Sequence, residues 1–257
     1  MTFTYVVSGF AVGALVGLTG VGGGSLMTPL LALLFGIHPT VAVGTDLAFA
    51  SVTKVAGTAA HRYHGNVHWH IVKLLCIGAL PAAIAATFAL KYFGSLQNEI
   101  GLFIRYSIAC SVMLTVVAIL FRKRMQNWLT KHPERHLHGR PLAAATILCG
   151  AILGALVTIS SIGAGAIGAT LLVLLYPRLS PAEIAGTDIA YAVPLTAIAA
   201  FGHWWLGSIN WELLAMLLLG SVPGITLGSL AARAMPEKLL RLLLAATLTT
   251  VAAKLVL

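Results

Sequence analysis

Gly20-Val21-Gly22-Gly23-Gly24-Ser25 lies inside an apolar run from 4 to 36, and Ser160-Ser161-Ile162-Gly163-Ala164-Gly165 lies inside a second from 142 to 175. The surrounding chain repeats itself. Residues 9–81 return at 150–223, with Gly13-Ala14-Leu15-Val16 answered by Gly154-Ala155-Leu156-Val157. After a one-residue slip, Pro39, Gly44-Thr45-Asp46, His61, Gly65, Trp69, Gly78 and Pro81 fall on Pro181, Gly186-Thr187-Asp188, His203, Gly207, Trp211, Gly220 and Pro223. Matches between Ala and Leu are cheap in an apolar chain, but Gly-Thr-Asp, His, Trp and Pro in one register are not. Gly-interrupted apolar segments at corresponding places in two halves are a mark of membrane transporters.

Composition sets the solvent. The chain is 59% hydrophobic and 9% charged, against about 25% charged in a soluble domain. Apolar runs at 4–36, 42–60, 71–90, 101–121, 142–175, 182–202, 211–232 and 239–257 compare with the roughly 20 residues that cross a bilayer core. They are too long and alternate too weakly for barrel strands. The expected fold is an all-α polytopic bundle of two pseudo-symmetric repeats, 4–121 and 141–257, joined by a basic linker at 122–140. The whole, 1–257, reads as one transporter domain. The first apolar segment lacks a basic leader and a cleavage site, and is expected to be retained. Cys76, Cys110 and Cys149 stand singly and read as small apolar residues.

Divided at the glycines, each long segment gives two arms too short to cross alone. The choice is a broken crossing or a re-entrant hairpin, with the turn buried in protein or lining a wet cavity. Charge bias separates the two. With hairpins the halves are inverted, and twelve Lys/Arg face the linker side against two opposite; with full crossings the split is nine to five. Basic residues gather on the cytoplasmic side, which favours inversion; the expected location is the bacterial inner membrane. The net charge of +9 belongs to this bias and implies no nucleic-acid partner.

The site is sought at the glycines. Gly22, Gly23, Gly24, Ser25, Ser160, Ser161, Gly163 and Gly165 supply bare amides, hydroxyls and freedom for positive φ, suited to an anion at a half-helix N-terminus. Alternatively the small residues serve close helix packing. Thr45-Asp46 and Thr187-Asp188 read either as N-caps or as substrate-side threonines with a proton or cation relay at the two aspartates. An aspartate at membrane depth costs about 2.5–3.5 kcal/mol. Lys54 has no basic counterpart, Thr196 standing in its place; it would pair with an acid or neutralise a bound anion. The histidines from His61 to His70 lack a Cys or carboxylate partner and read as interfacial, beside anchors Trp69 and Trp211, rather than as a metal site. No catalytic constellation or cofactor motif appears, so an enzyme is not expected.

At these residues the chain resembles the TauE/SafE family of membrane anion exporters. In the first half the likeness rests on Gly22-Gly23-Gly24, Pro29-Leu30-Leu31, Pro39, Val43-Gly44-Thr45 and His61 through Trp69. In the second it rests on Gly186-Thr187, Gly207 through Trp211, and Pro223-Gly224 through Gly228 to Arg233. The second half departs from it, with Gly163-Ala164-Gly165 for the glycine cluster and Thr170 where Pro29 predicts a proline. The resemblance implies export of sulfite or an organosulfonate. The residues by themselves support a small anionic solute, a coupling proton or cation, the lipid bilayer as partner, and alternating access by one half rocking against the other. A homo-oligomer is compatible with the sequence; a His-dependent metal transporter and a membrane enzyme or subunit are the rival readings.

Overall fold

A computed structural model describes residues 2–19, 24–93, 97–131 and 137–232. Its helices in chain order are α1 (Thr2–Thr19), α2 (Gly24–Leu34), α3 (Pro39–Tyr63), α4 (Trp69–Phe93), α5 (Gln97–Lys131), α6 (Gly139–Ser160), α7 (Ala166–Leu175), α8 (Pro181–Trp205) and α9 (Trp211–Ala232). Among the described residues there is no strand. Four stretches among the described residues are long and apolar enough to cross a membrane: Trp69–Tyr92, Gly101–Arg122, Gly139–Ser160 and Pro181–Trp205. The protein is therefore an all-helical, multi-pass membrane protein. The last apolar run, 239–257, lies outside the described residues.

Each glycine-bearing segment holds a longer and a shorter helix, α1 with α2 and α6 with α7. At about 1.5 Å per residue, neither α2 nor α7 reaches across a core of about 30 Å. The start of each longer helix meets the end of its shorter partner. Tyr5 and Phe35 stack with centroids 5.1 Å apart, and the hydroxyls of Thr146 and Tyr176 are 2.8 Å apart.

Two helix pairs are seated backbone on backbone. Along α1 and α9, a Cβ on Gly9 would stand 2.6 Å from the Leu217 carbonyl oxygen, and one on Gly13 2.5 Å from that of Ser221. Gly220 and Gly224 on α9 press in return on the carbonyls of Val6 and Phe10. Between α4 and α6, Gly150 meets the Leu75 carbonyl, Gly154 that of Ala79, and Gly78 that of Ile147. Such contact needs a residue without Cβ, and small residues at helix interfaces are how apolar helices approach closely without a hydrophobic driving force.

Helices α3 and α8 lie antiparallel across the middle. The early part of each meets the loop that follows the other: Gly44 lies against Ser208, and Gly186 against Asn66. Their inward faces are almost wholly buried, from Ala42 to Ala50 on α3 and through Tyr191, Ala192, Leu195 and Ala199 on α8. Exposed aromatics on the outer surface include Trp69, Tyr92, Trp205 and Trp211.

Helix α5 runs on into the basic linker, through Arg122-Lys123-Arg124 to Lys131; apolar Leu114–Phe121 is already helical, and basic side chains propagate a helix well. One expectation needs correction: the aspartates do not cap their helices. Pro39 and Pro181 begin α3 and α8, their fixed φ suiting the first helical position. Thr45-Asp46 and Thr187-Asp188 therefore sit well inside the helices. For α8 the cap is Ser180, in a reciprocal capping box with Glu183.

Candidate functional site

The second glycine turn is built from residues that tolerate its backbone. Ser161 takes φ 60°, Gly163 137° and Gly165 129°, values in the left-handed region that glycine enters without penalty. Ser160 braces the turn, its hydroxyl donating to the Leu156 carbonyl at 2.7 Å and accepting from the Ile162 N–H at 3.2 Å. The turn is buried, with Ser160, Ile162 and Ala164 each under a tenth exposed.

Three ionisable side chains converge on it. Asp46 and Lys54 come from α3, and Asp188 from α8; all are buried. The Asp46 Oδ2 accepts the Thr28 hydroxyl of α2 at 2.6 Å and the Ser161 hydroxyl of the turn at 2.9 Å. Its Oδ1 has no partner. The Lys54 ammonium donates to the Ala164 carbonyl at 3.4 Å. Both carboxylates act on Lys54 through space without a direct ion pair. Asp188 faces the Gly165 amide, its Oδ1 is unpartnered, and that oxygen abuts Gly168 on α7. Buried charge is tolerated only when paired or serving a polar chamber. Here two carboxylates and one ammonium carry a formal net charge of −1 and leave two oxygens bare.

Thr45 and Thr187 are turned elsewhere. The Thr45 Oγ1 accepts the Asn210 N–H at 3.1 Å, and the Thr187 Oγ1 accepts the His68 N–H at the same distance. Each threonine thus holds the residue that precedes a helix of the other half. Of the first glycine cluster, Gly22 and Gly23 lie outside the described residues, while Gly24 and Ser25 open α2.

Sequence reading missed Thr28, Tyr191 and the depth of His203. Thr28 sits in an apolar stretch and meets its aspartate 18 residues away, which leaves no local signal. Tyr191 is fully buried with an unpartnered hydroxyl; it stands where the first repeat has Phe49, and that mismatch was readable. His203 is buried beside Gly44, and its Nε2 is 2.9 Å from the Thr158 carbonyl oxygen. Among the described residues, no three His, Cys, Asp or Glu side chains gather as a metal site would require.

The family model described as sulfite exporter TauE/SafE matches residues 5–255. The chain is 37% identical over 229 residues to the probable membrane transporter protein YjnA of Bacillus subtilis (strain 168), covering 89% of each chain. It is 27% identical to the probable membrane transporter protein YdhB of the same organism, covering 90% of this chain and 91% of that one. A probable membrane transporter protein of Xylella fastidiosa (strain Temecula1 / ATCC 700964) is 26% identical, over 88% and 82% of the two chains. No solved structure gives a significant match. A helical multi-pass chain with buried charge at a broken helix, matched almost end to end by transporters, belongs to the sulfite exporter TauE/SafE family.

Proposed function

We propose that this chain is a single-domain secondary transporter of the bacterial inner membrane that exports a small anion, sulfite or an organosulfonate, by alternating access around a midplane site. The observation that carries the reading is the convergence of Asp46, Lys54 and Asp188 on the buried turn Ser160–Gly165. Turn amides and the Lys54 ammonium favour an anion; the two carboxylates oppose it unless a proton neutralises one. That opposition supplies the coupling, because anion and proton each relieve the cost of the other. Export is also aided by the membrane potential, at about 2.3 kcal/mol per charge per 100 mV for an anion leaving a negative interior.

The two halves, in this reading, are inverted in the bilayer, and each glycine segment is a re-entrant hairpin. Support comes from the antiparallel course of the equivalent helices α3 and α8. It comes equally from Tyr5 meeting Phe35 and Thr146 meeting Tyr176, which bring both arms of each hairpin back to one end. The family's printed description names sulfite; from the residues alone the solute is a small anion.

The test is flux in liposomes holding only this protein, with sulfite, sulfoacetate, thiosulfate and taurine offered separately. Sulfite or sulfoacetate should move, and Lys54→Ala should raise the concentration needed for half-maximal flux. Flux of none of the four, from protein that elutes as a single folded species, would overturn the proposal.

A further inference from the structure

The two aspartates occupy the same repeat position, but their surroundings differ. Both hydroxyls that reach Asp46 converge on its Oδ2, and its bare Oδ1 has no hydroxyl from the residue three places on, which is Phe49. On α8 the residue three places after Asp188 is Tyr191. Positions i and i+3 share a helix face, and the phenol and the carboxylate do meet one patch. A Cβ on Gly168 would collide with the Asp188 Oδ1 and stand 3.1 Å from the Tyr191 hydroxyl. The register puts Met27 where the second half has Gly168. In the second half, then, a thioether side chain has become a hydrogen and a phenyl ring has become a phenol.

Both oxygens at Gly168 are buried and neither has a partner. Leaving a buried polar atom unpaired costs about 1–3 kcal/mol, so two of them side by side call for a ligand. A proton on the Asp188 carboxylate removes the costlier part, a charge whose bare oxygen no donor reaches. The Tyr191 hydroxyl shares the space at Gly168 with that oxygen. At Asp46 the Thr28 and Ser161 hydroxyls already donate to the charged carboxylate.

We infer that Asp188 with Tyr191 is the proton-binding station of this protein, and that Asp46 is a fixed latch tying α3 to α2 and to the Ser161 turn. The inference rests on the transporter reading for its use in coupling, and on the geometry alone for the site. The step is a simple transfer: hydronium gives its proton to the Asp188 carboxylate and leaves as water. The neutral acid then stands at Gly168 with the Tyr191 hydroxyl as its polar neighbour. The charges facing this station are Lys54 from α3 and Arg122 from α5, with the Gly165 amide from the turn; Cys76 of α4 and Cys149 of α6 lie on the phenol side.

The experiment is infrared difference spectroscopy on the full chain in lipid nanodiscs, stepped in pH with no anion substrate present. The wild type should show the carbonyl band of a protonated, buried carboxylic acid that comes and goes with pH. Asp188→Asn should abolish the band and Asp46→Asn should keep it. Tyr191→Phe removes one oxygen and should displace the band's frequency, a change that loss of packing alone would not produce. A wild type without the band, its survival in Asp188→Asn, its loss in a folded Asp46→Asn, or an unmoved frequency in Tyr191→Phe would each overturn the assignment. Sulfite flux, measured separately, decides the transporter reading: a chain that shows the band but moves no anion keeps the proton site and loses the transport.

Discussion

The two Gly-Thr clasps share a backbone plan and differ in side-chain chemistry. At one, Gly44 presses on the Ser208 carbonyl and the His203 Cβ, while Thr45 holds the Asn210 amide. At the other, Gly186 presses on the Asn66 carbonyl and the His61 Cβ, while Thr187 holds the His68 amide. Beyond the backbone they part. The Asn210 Oδ1 turns inward and accepts the Leu213 N–H at 3.0 Å, capping α9. His68 reaches out to the Glu183 carboxylate at 2.8 Å, joining the loop after α3 to the first turn of α8. Where Glu183 stands, the first repeat has Val41. Backbone fit is thus shared by both copies, and one clasp has gained a histidine–carboxylate contact that the other cannot form.

The largest effect should come from breaking the shared part. Gly44→Val and Gly186→Val each drive a branched side chain into a carbonyl that has nowhere to move. Overpacking costs typically about 1–3 kcal/mol and sometimes more; both variants should lose most of the monodisperse, detergent-extracted protein, and to a similar degree. A tolerated Gly186→Val beside a lethal Gly44→Val would break the equivalence. Next come Thr45→Val and Thr187→Val, which strip the acceptor from a partly buried amide at about 1–3 kcal/mol. Their thermal unfolding midpoints in one lipid mixture should fall together. The smallest effect separates the clasps: Glu183→Gln should lower the midpoint slightly, and added salt should erase the difference because a half-exposed pair is screened. Asn210→Ala, which removes a neutral cap worth about 1 kcal/mol, should be indifferent to salt.

Much of this was legible from the residues. Hydropathy gave the helices, and the recurring Gly-Thr, Trp and Pro gave the register in which Gly44 and Gly186 make like contacts. Less legible was anything depending on distance through space. Thr45-Asp46 and Thr187-Asp188 resemble caps for their own helices in sequence, but α3 and α8 start earlier, at Pro39 and Pro181. Lys54 was left between a carboxylate and a bound anion. It rests on the Ala164 carbonyl, 110 positions away, a contact set by how the second turn enters the first half. Thr28 carries no local pattern at all; its meaning comes from the aspartate it faces.

The glycine seams carry one more consequence. Where α1 lies on α9, and α4 on α6, main chain rests directly on main chain, with no cushion of side chains in which one rod could slip past its neighbour. Each seam also welds a rod from the earlier copy to a rod from the later one. A hinge drawn between the duplicated halves would have to tear both welds. For alternating access, the moving body we propose is therefore a hybrid of the two copies.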